Sequence, residues 1–320
     1  MTLPSLVLRV TALEWQAEGI LSLRLRAKDG AVLPSYEPGA HIDLTLAPGL
    51  TRSYSLLDGC PGPEPASYRV GVALDVRSRG GSAHVHRELR PGDVLVASAP
   101  RNHFPLVETA PFTQLVAGGI GITPMIAMAE RLSALGRAWR LRWCVRDLDH
   151  LPFGDWLAQH ADRIDLHVDA RDGGVWNGWT ALVQGLPGDA HLYCCGPSPM
   201  LAAYEDATRN LDPARVHLER FGADLPPPDT SGTVFQVRLA RDGRCIAVAP
   251  EQTILDALQS AGIDVPCSCL QGVCGACETR VLDGLPDHRD LVLSEAERER
   301  GDTMMICCSR ARSPELVLDL

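Results

Sequence analysis

Four cysteines close to the C-terminal end restrict the fold of this chain more than any other feature. Cys269, Cys274 and Cys277 read C-x4-C-x2-C, and Cys307 follows after a long gap. That is the ligand spacing of a [2Fe–2S] cluster, in which four thiolates converge on two irons and two sulfides. A tight loop can supply three of them. Gly272 and Gly275 relieve crowding where backbone must wrap closely, and glycine reaches φ > 0 without strain. The fourth thiolate comes from a separate segment, read here as a strand from Thr303 to Cys307. Neighbouring strand residues face opposite ways, so only one of Cys307 and Cys308 can face the cluster, and Cys307 is the one expected. Cys267 falls outside the spacing and is expected to pack or to meet solvent.

Two other cysteine chemistries compete with this reading. Zinc sites join a close cysteine pair to a second pair or to histidines, and no matching second pair is present. A disulfide framework suits small secreted chains, whereas this one has 320 residues and an odd count of 11 cysteines. Zinc would make the chain a metal-stabilised binding protein with degenerate nucleotide sites.

Length predicts two or three domains. A net charge of −10 argues against nucleic-acid binding, which calls for a basic patch, and permits an acidic face for a basic protein partner. Counted from Val234 to Leu320, 14 acids face 9 bases; a steering surface and an ordinary solvated one both fit that excess. No apolar run approaches the ~20 residues of a membrane span. Met1 to Trp15 lacks the basic start and apolar core of a signal peptide. Abundant unpaired cysteine without an export signal points to a reducing cytoplasm.

Three textures follow one another. Up to about Arg101 the chain reads as short strands such as Ile20–Leu25 and His41–Leu46 (both alternating) and Tyr68–Leu74, punctuated by Pro-Gly turns. This pattern predicts a closed or sandwiched antiparallel sheet. From Phe112, strands alternate with helices: Thr113–Ala117, a helix through Met125–Leu135, Arg140–Val145, a helix at Trp156–His160, Ile164–Val168 and His191–Cys194. That alternation predicts a parallel sheet with helices on both faces. A linker with Pro226-Pro227-Pro228 then leads to strands Val234–Leu239 and Cys245–Val248, a helix at Ile254–Ala261, the cysteine loop, and a last strand at Leu316–Leu318. The expected domains are 1–106, 107–223 and 234–320, with the linker at 224–233. The expected folds are an antiparallel β-barrel, a parallel-sheet α/β domain and a β-grasp domain.

Three stretches in the first two regions carry chemistry. Gly118-Gly119-Ile120-Gly121-Ile122-Thr123-Pro124 lies between a strand and a helix, where backbone N–H groups can hold a pyrophosphate. Thr123 reads as the helix N-cap, with Pro124 in the first turn; Pro124 stands where the third glycine of G-x-G-x-x-G would be. A second turn, Cys195-Gly196-Pro197, also ends a strand, and open α/β sheets bind ligands at that end. Arg52-Ser53-Tyr54-Ser55 sets a cation and an aromatic ring on one strand face and two hydroxyls on the other, and Arg79-Gly80-Gly81-Ser82 offers a further phosphate nest. Each has a plain structural reading as a turn or a half-buried strand. Histidines are expected at the surface or in packing, and the tryptophans in the core.

Taken in order, these segments resemble the ferredoxin–NADP reductase superfamily, and within it the reductase components of Rieske oxygenases of the phthalate dioxygenase reductase and vanillate demethylase reductase type. The likeness spans the chain. It rests on Arg52–Ser55, Gly80–Ser82, Pro100–Leu106, Gly118–Pro124, Cys195–Pro197, Glu219–Gly222 and the cysteine set. It implies FMN in the first domain, NADH in the second and a plant-type [2Fe–2S] ferredoxin domain last. Arg52 would pair with the flavin phosphate, Tyr54 would pack along the ribityl chain and ring, and Ser53 belongs to the same site. Ser55 would bond near N5. Val70, Gly71, Val72 and Ala73 would run along the ring edge, and Gly80, Gly81 and Ser82 would complete the phosphate site. Gly118, Gly119, Gly121, Ile122, Thr123, Pro124, Arg146, Cys195, Gly196 and Pro197 would serve the nucleotide. Ser55, Thr123, Cys195 and Phe221 would serve the reaction itself. Arg146-Asp147 offers one base and one acid where the nicotinamide cofactor's ribose is read; the family implies NADH. The implied function is to pass paired electrons from NADH singly to a terminal oxygenase, as a monomer. A non-oxygenase partner, or redox sensing, is the alternative.

Overall fold

The computed structural model describes residues 5–47, 50–59, 62, 64–75, 80–221, 229–267 and 269–320. Arg79, the Pro226–Pro228 linker and the Pro48-Gly49 turn lie outside the described residues. Two compact units divide the chain, Met1–Asp224 and Leu225–Leu320.

Antiparallel strands open the first unit: β1 (Ser5–Ala17), β2 (Ile20–Ala27), β3 (Ala40–Ala47), β4 (Leu50–Ser55), β5 (Tyr68–Ala73), then helix α1 (Gly81–Arg87), β6 (Val94–Ser98) and β7 (Arg101–Asn102). The sheet runs β4-β3-β6-β1-β2-β5. An antiparallel bridge from Leu56 to Val70 ties its two end strands and closes the barrel. Alternation puts Leu8, Val10, Leu23, Leu25, Ile42, Leu44, Val70 and Val72 into one core. β3 departs from the expected alternation, because His41 and Asp43 on its other face are buried too. Asp43 there accepts from Ser53 Oγ at 2.6 Å and pairs with Arg101, so an ionic contact covers that face.

Parallel strands complete the unit: β8 (Phe112–Gly118), α2 (Ile122–Ala134), β9 (Ala138–Val145), α3 (Gly154–Gln159), β10 (Ile164–Val168), α4 (Asp169–Asp172), α5 (Trp179–Gln184), β11 (His191–Cys195), α6 (Ser198–Thr208) and β12 (Val216–Glu219). Their order is β10-β9-β8-β11-β12. One face packs on α2 through Met125, Met128 and Leu132; the other packs on α5 and α6 through Trp179, Leu201 and Tyr204. Strands covered on both faces read as apolar runs, as Leu115-Val116-Ala117 does. Trp139, Trp143 and Trp179 are core residues as expected, but Trp15 is exposed. The segment joining the two sheets is pinned by Tyr193, whose hydroxyl accepts from Val107 N at 2.9 Å and donates to Pro105 O at 3.2 Å.

The second unit has β13 (Phe235–Leu239), β14 (Cys245–Val248), α7 (Ile254–Ser260), β15 (Glu278–Asp283), β16 (Pro286–Asp287), α8 (Glu295–Arg300), β17 (Thr303–Met305), β18 (Arg310–Ala311) and β19 (Glu315–Leu318). Its main sheet runs β14-β13-β19-β15-β17, with β13 and β19 parallel. The two halves of α7's capping box, Thr253 and Asp256, fix its start. Ile254, Leu255 and Leu258 then pack onto the sheet. One helix lying across a mixed sheet is the β-grasp arrangement. Arg310 is buried in this unit, donating to the carbonyls of Gln252, Ala249 and Thr233 with its guanidinium over Phe235.

Candidate functional site

In the second unit the chain from Cys269 to Cys277 is an irregular loop before β15. Leu270, Gly272 and Gly275 all have positive φ, at 59°, 70° and 71°, so the loop curls the same way three times. The curl aims backbone N–H groups at sulfur: Gln271 N and Val273 N donate to Cys269 Sγ, and Cys269 N donates to Cys274 Sγ, each at 3.4 Å. Such donors favour thiolate over thiol. The Cys269 thiol meets Cys274 and Cys307, and Cys307 also meets Cys277 and Cys308. These contacts hold Cys269 far below the usual thiol range and push Cys274 and Cys307 up. Among the described residues no three His, Cys, Asp or Glu side chains close round a single metal ion, whereas each iron of a two-iron cluster asks for two thiolates. The four cysteines, with N–H groups aimed at the Cys269 and Cys274 sulfurs, fit a [2Fe–2S] group. Among the described residues no two cysteines are joined in a disulfide.

One expectation fails here. β17 stops at Met305, and Ile306, Cys307 and Cys308 form a turn. The opposite-faces argument therefore does not apply, and both cysteines are buried. They still do different things. Cys307 reaches the other ligand thiols, while Cys308 donates to Met305 O at 3.6 Å and lies beneath Gly272. A Cβ on Gly272 would come within 2.4 Å of Cys308 Sγ. Cys267 is partly buried beside Gln259.

Within the first unit, residues far apart in sequence meet where the barrel packs on the parallel sheet. A Cβ on Gly71 would stand 2.8 Å from Thr123 Cγ2, which sets β5 directly against the start of α2. Helix α2 begins at Ile122, after a 3-10 turn over Gly119–Gly121. Thr123 is thus inside the first turn instead of capping it, and its Oγ1 donates back to Ile120 O at 3.1 Å. The two turns at the strand ends lie on each other: a Cβ on Gly121 would meet Cys195 O at 2.2 Å, and one on Gly118 would meet Pro197 Cδ at 2.6 Å. Gly196 abuts Met200 and Gly118 in the same contact. Arg52 is drawn to the first turn of α1, since a Cβ on Gly81 would fall 2.6 Å from its Cγ. Beside it, Ser82 Oγ accepts from Asp75 N at 3.1 Å. Tyr54 packs on the barrel core, and Ser53 points the other way, to Asp43. Val70 and Val72 face the core with Gly71 buried between them, and Ala73 is half-buried.

Ser55 and Cys195 meet a residue to which the sequence reading gave no role. Glu219 pairs with Cys195 across the parallel ladder, and its Oε2 lies 3.5 Å from Ser55 Oγ, 164 positions away. Burial lifts the Glu219 carboxyl to about 8, with the Ser55 hydroxyl opposing. Burial, then the Glu219 charge, push the Cys195 thiol well up. Ser55, Cys195 and Glu219 therefore form a junction of neutral donors and acceptors at neutral pH. The signal in the sequence was an acid ending a strand, but its partner could not be read off. Phe221, two residues on, is exposed, as is Arg146 past the end of β9. Asp147 next to Arg146 is occupied by His150, which holds its carboxyl below the usual range.

The model of the 2Fe-2S iron-sulfur cluster binding domain matches residues 237–312. The phenoxybenzoate dioxygenase subunit beta of Ectopseudomonas oleovorans is 49% identical over 100% of this chain and 98% of its own length. The vanillate O-demethylase oxidoreductase of a Pseudomonas species is 41% identical, covering 97% and 98% of the two chains. A solved structure of phthalate dioxygenase reductase, described as a modular structure for electron transfer from pyridine nucleotides to [2Fe-2S], superposes with a TM-score of 0.73 at 38% identity over 99% of this chain and 98% of that one. The chain belongs to the phthalate dioxygenase reductase family. Membership accounts for the order of parts: an antiparallel barrel, a parallel sheet and a terminal cluster domain. It also makes the chain an oxidoreductase of that family.

Proposed function

We propose that this chain is the reductase component of a Rieske-type oxygenase system, one that hydroxylates or O-demethylates aromatic compounds. When bound, FMN would take one hydride, carrying two electrons, from NADH, and the [2Fe–2S] cluster would let those electrons leave singly. The observation that carries this reading is the end-to-end likeness to reductases of oxygenase systems, joined to four cysteines whose loop fits the cluster. The proposed parts are a flavin domain at 1–106, a nucleotide domain at 107–223, a linker at 224–233 and a cluster domain at 234–320.

The chain's own residues hold and orient. Arg52, lying across Gly81, supplies a fixed cation for the FMN phosphate, with Gly80 and Ser82 completing the cradle. Tyr54 and the β5 segment Val70–Ala73 offer apolar surface to the flavin ring. Ser55 stands ready to donate to a ring nitrogen. Glu219 shares that hydroxyl and, being protonated near neutrality, can move a proton at the Ser55 oxygen. Thr123, Cys195 and Phe221 line the approach of the nicotinamide. Gly118, Gly119, Gly121, Ile122, Pro124, Gly196, Pro197 and Arg146 take the rest of NADH at the carboxyl ends of the strands. Cys269, Cys274, Cys277 and Cys307 hold the cluster.

The partner is a terminal oxygenase component, which owns the substrate pocket. No described helix is long and apolar enough to cross a membrane, and described cysteines outside any disulfide suit a reducing cytoplasm. A monomer is proposed. The test is to purify the full chain, identify released flavin, and assay iron and sulfide. The chain is then combined with NADH and a Rieske oxygenase, scoring substrate turnover. FMN, two irons per chain and NADH-dependent turnover are expected. A preparation with no flavin, or one that reduces dyes but never supports an oxygenase, would overturn the reading.

A further inference from the structure

The cysteine loop rests on a carboxylate that has no assigned part in holding a cluster. Asp290 lies between β16 and α8, and its side chain is 0% exposed. Oδ2 accepts from Val292 N at 3.1 Å and Leu293 N at 2.8 Å, and Oδ1 accepts from Ser309 Oγ at 3.5 Å. Three donors converging on one carboxyl fit the ionised, acceptor-only form. Its cationic neighbour is Arg298, with Nη2 at 3.8 Å from Oδ2 and a guanidinium partly open to solvent. The Arg298 hydrogen bond goes to the Asp290 backbone carbonyl. His288 stands 3.8 Å from Oδ1, and burial favours its neutral form.

This buried charge is attached to the cluster loop from two sides. Leu291 N donates to Gly272 O at 2.9 Å. A Cβ on Gly272 would lie 2.9 Å from Asp290 Cα and 3.1 Å from its Cβ. The Ser309 hydroxyl that reaches Asp290 belongs to the segment that carries Cys307 and Cys308. A negative charge fixed in a poorly polarisable interior disfavours adding an electron next to it, and net charge is one of the levers that set iron–sulfur potentials. We infer that Asp290 is a positioning residue for charge: it lowers the reduction potential of the bound cluster, so that the reduced cluster more readily gives its electron away. The inference rests on the cluster-bearing reading above. The step it concerns is balanced by one electron in from the reduced flavin and one out to the acceptor, with no proton taken up.

The experiment is a potentiometric titration of the full-length holoprotein, with the cluster followed by its EPR signal and visible circular dichroism. Asp290→Asn keeps an oxygen for the two backbone donors and removes the charge. At the potential that half-reduces the wild type, the variant is expected to show a reduced-to-oxidised ratio about tenfold higher, equivalent to about 59 mV for one electron. Arg298→Gln removes the nearby positive charge and is expected to shift the ratio in the opposite direction. A merely structural role would change cluster content without opposite shifts. A fully loaded Asp290→Asn protein with the wild-type ratio would overturn the inference. If that variant fails to load, an Arg298→Gln ratio that stays put or rises would do the same. Wild-type protein without iron and sulfide would instead overturn the proposed function.

Discussion

The cysteine loop and the Ser55–Glu219 junction are built on opposite plans. Three of the four clustered cysteines lie within nine consecutive residues, and the backbone does the shaping through three positive φ values. The first unit's site joins Ser55, Cys195 and Glu219 from three strands, and Gly71 to Thr123 from a fourth strand and a helix, so no single stretch of chain supplies it. The first kind of site depends on backbone conformation and on close space under one glycine. The second depends on how a barrel and a parallel sheet pack. Damage to either should therefore have a distinct signature.

The largest effect is expected at the ligands. Cys307→Ser should abolish the visible absorption of the cluster, whereas Cys308→Ser should retain it, because Cys307 meets both Cys269 and Cys277 while Cys308 donates to Met305 O. The reverse result in an absorption spectrum would reassign the fourth ligand. Gly272→Ala comes next: its Cβ would strike Cys308 Sγ and Asp290 on top of an unfavourable φ. Iron and sulfide per chain should fall several-fold, with flavin content unchanged. In the first unit, Gly121→Ala should leave the cluster spectrum intact and cost about 3 kcal/mol of stability, since a methyl cannot enter the space held by the Cys195 carbonyl. Chemical denaturation followed by tryptophan fluorescence would measure it.

Glu219→Gln tests the junction's electrostatics. The carboxyl is raised from 4.5 to about 8 in the folded chain, so below its unfolded value both states hold the proton and stability is flat. Between the two values only the folded state keeps the proton, and stability drops as pH rises through that window. The wild type should lose on the order of a few kcal/mol across this range, and Glu219→Gln should lose less. Parallel slopes in unfolding curves from pH 5 to 8.5 would remove the carboxyl from the argument. Gly243→Ala is the smallest change. Its φ of 74° matches that of Gly272, but no atom lies within 4 Å of a new Cβ, so only the backbone cost of about 1 kcal/mol remains. If Gly243→Ala and Gly272→Ala cost the same, crowding beneath the cluster loop is not what sets Gly272 apart.

The sequence made the loop legible because ligand spacing is a local property, and glycines at the bends add to it. Strand and helix alternation likewise marked both sheets of the first unit, since period-two and period-3.6 patterns are local too. Small errors arose where a tertiary contact replaced a local rule. Thr123 looked like a cap, but the 3-10 turn before it moved the helix start to Ile122. Cys307 and Cys308 looked like strand residues, but the chain turns at Ile306 to bring both inside. β3 looked half-exposed, but Arg101 and Ser53 cover Asp43.

By itself, the order of residues determined the cysteine spacing on which the proposed ligand set rests, the succession of barrel, parallel sheet and cluster domain, and the two glycine turns at the strand ends. Only the folded chain decided that Glu219 would meet Ser55, that those two turns would lie on each other, and that Asp290 would be buried beneath Gly272. Bond-by-bond propensities act over a few residues, whereas these contacts join positions up to 164 apart. They exist because packing apolar faces together leaves particular polar groups no other place to go.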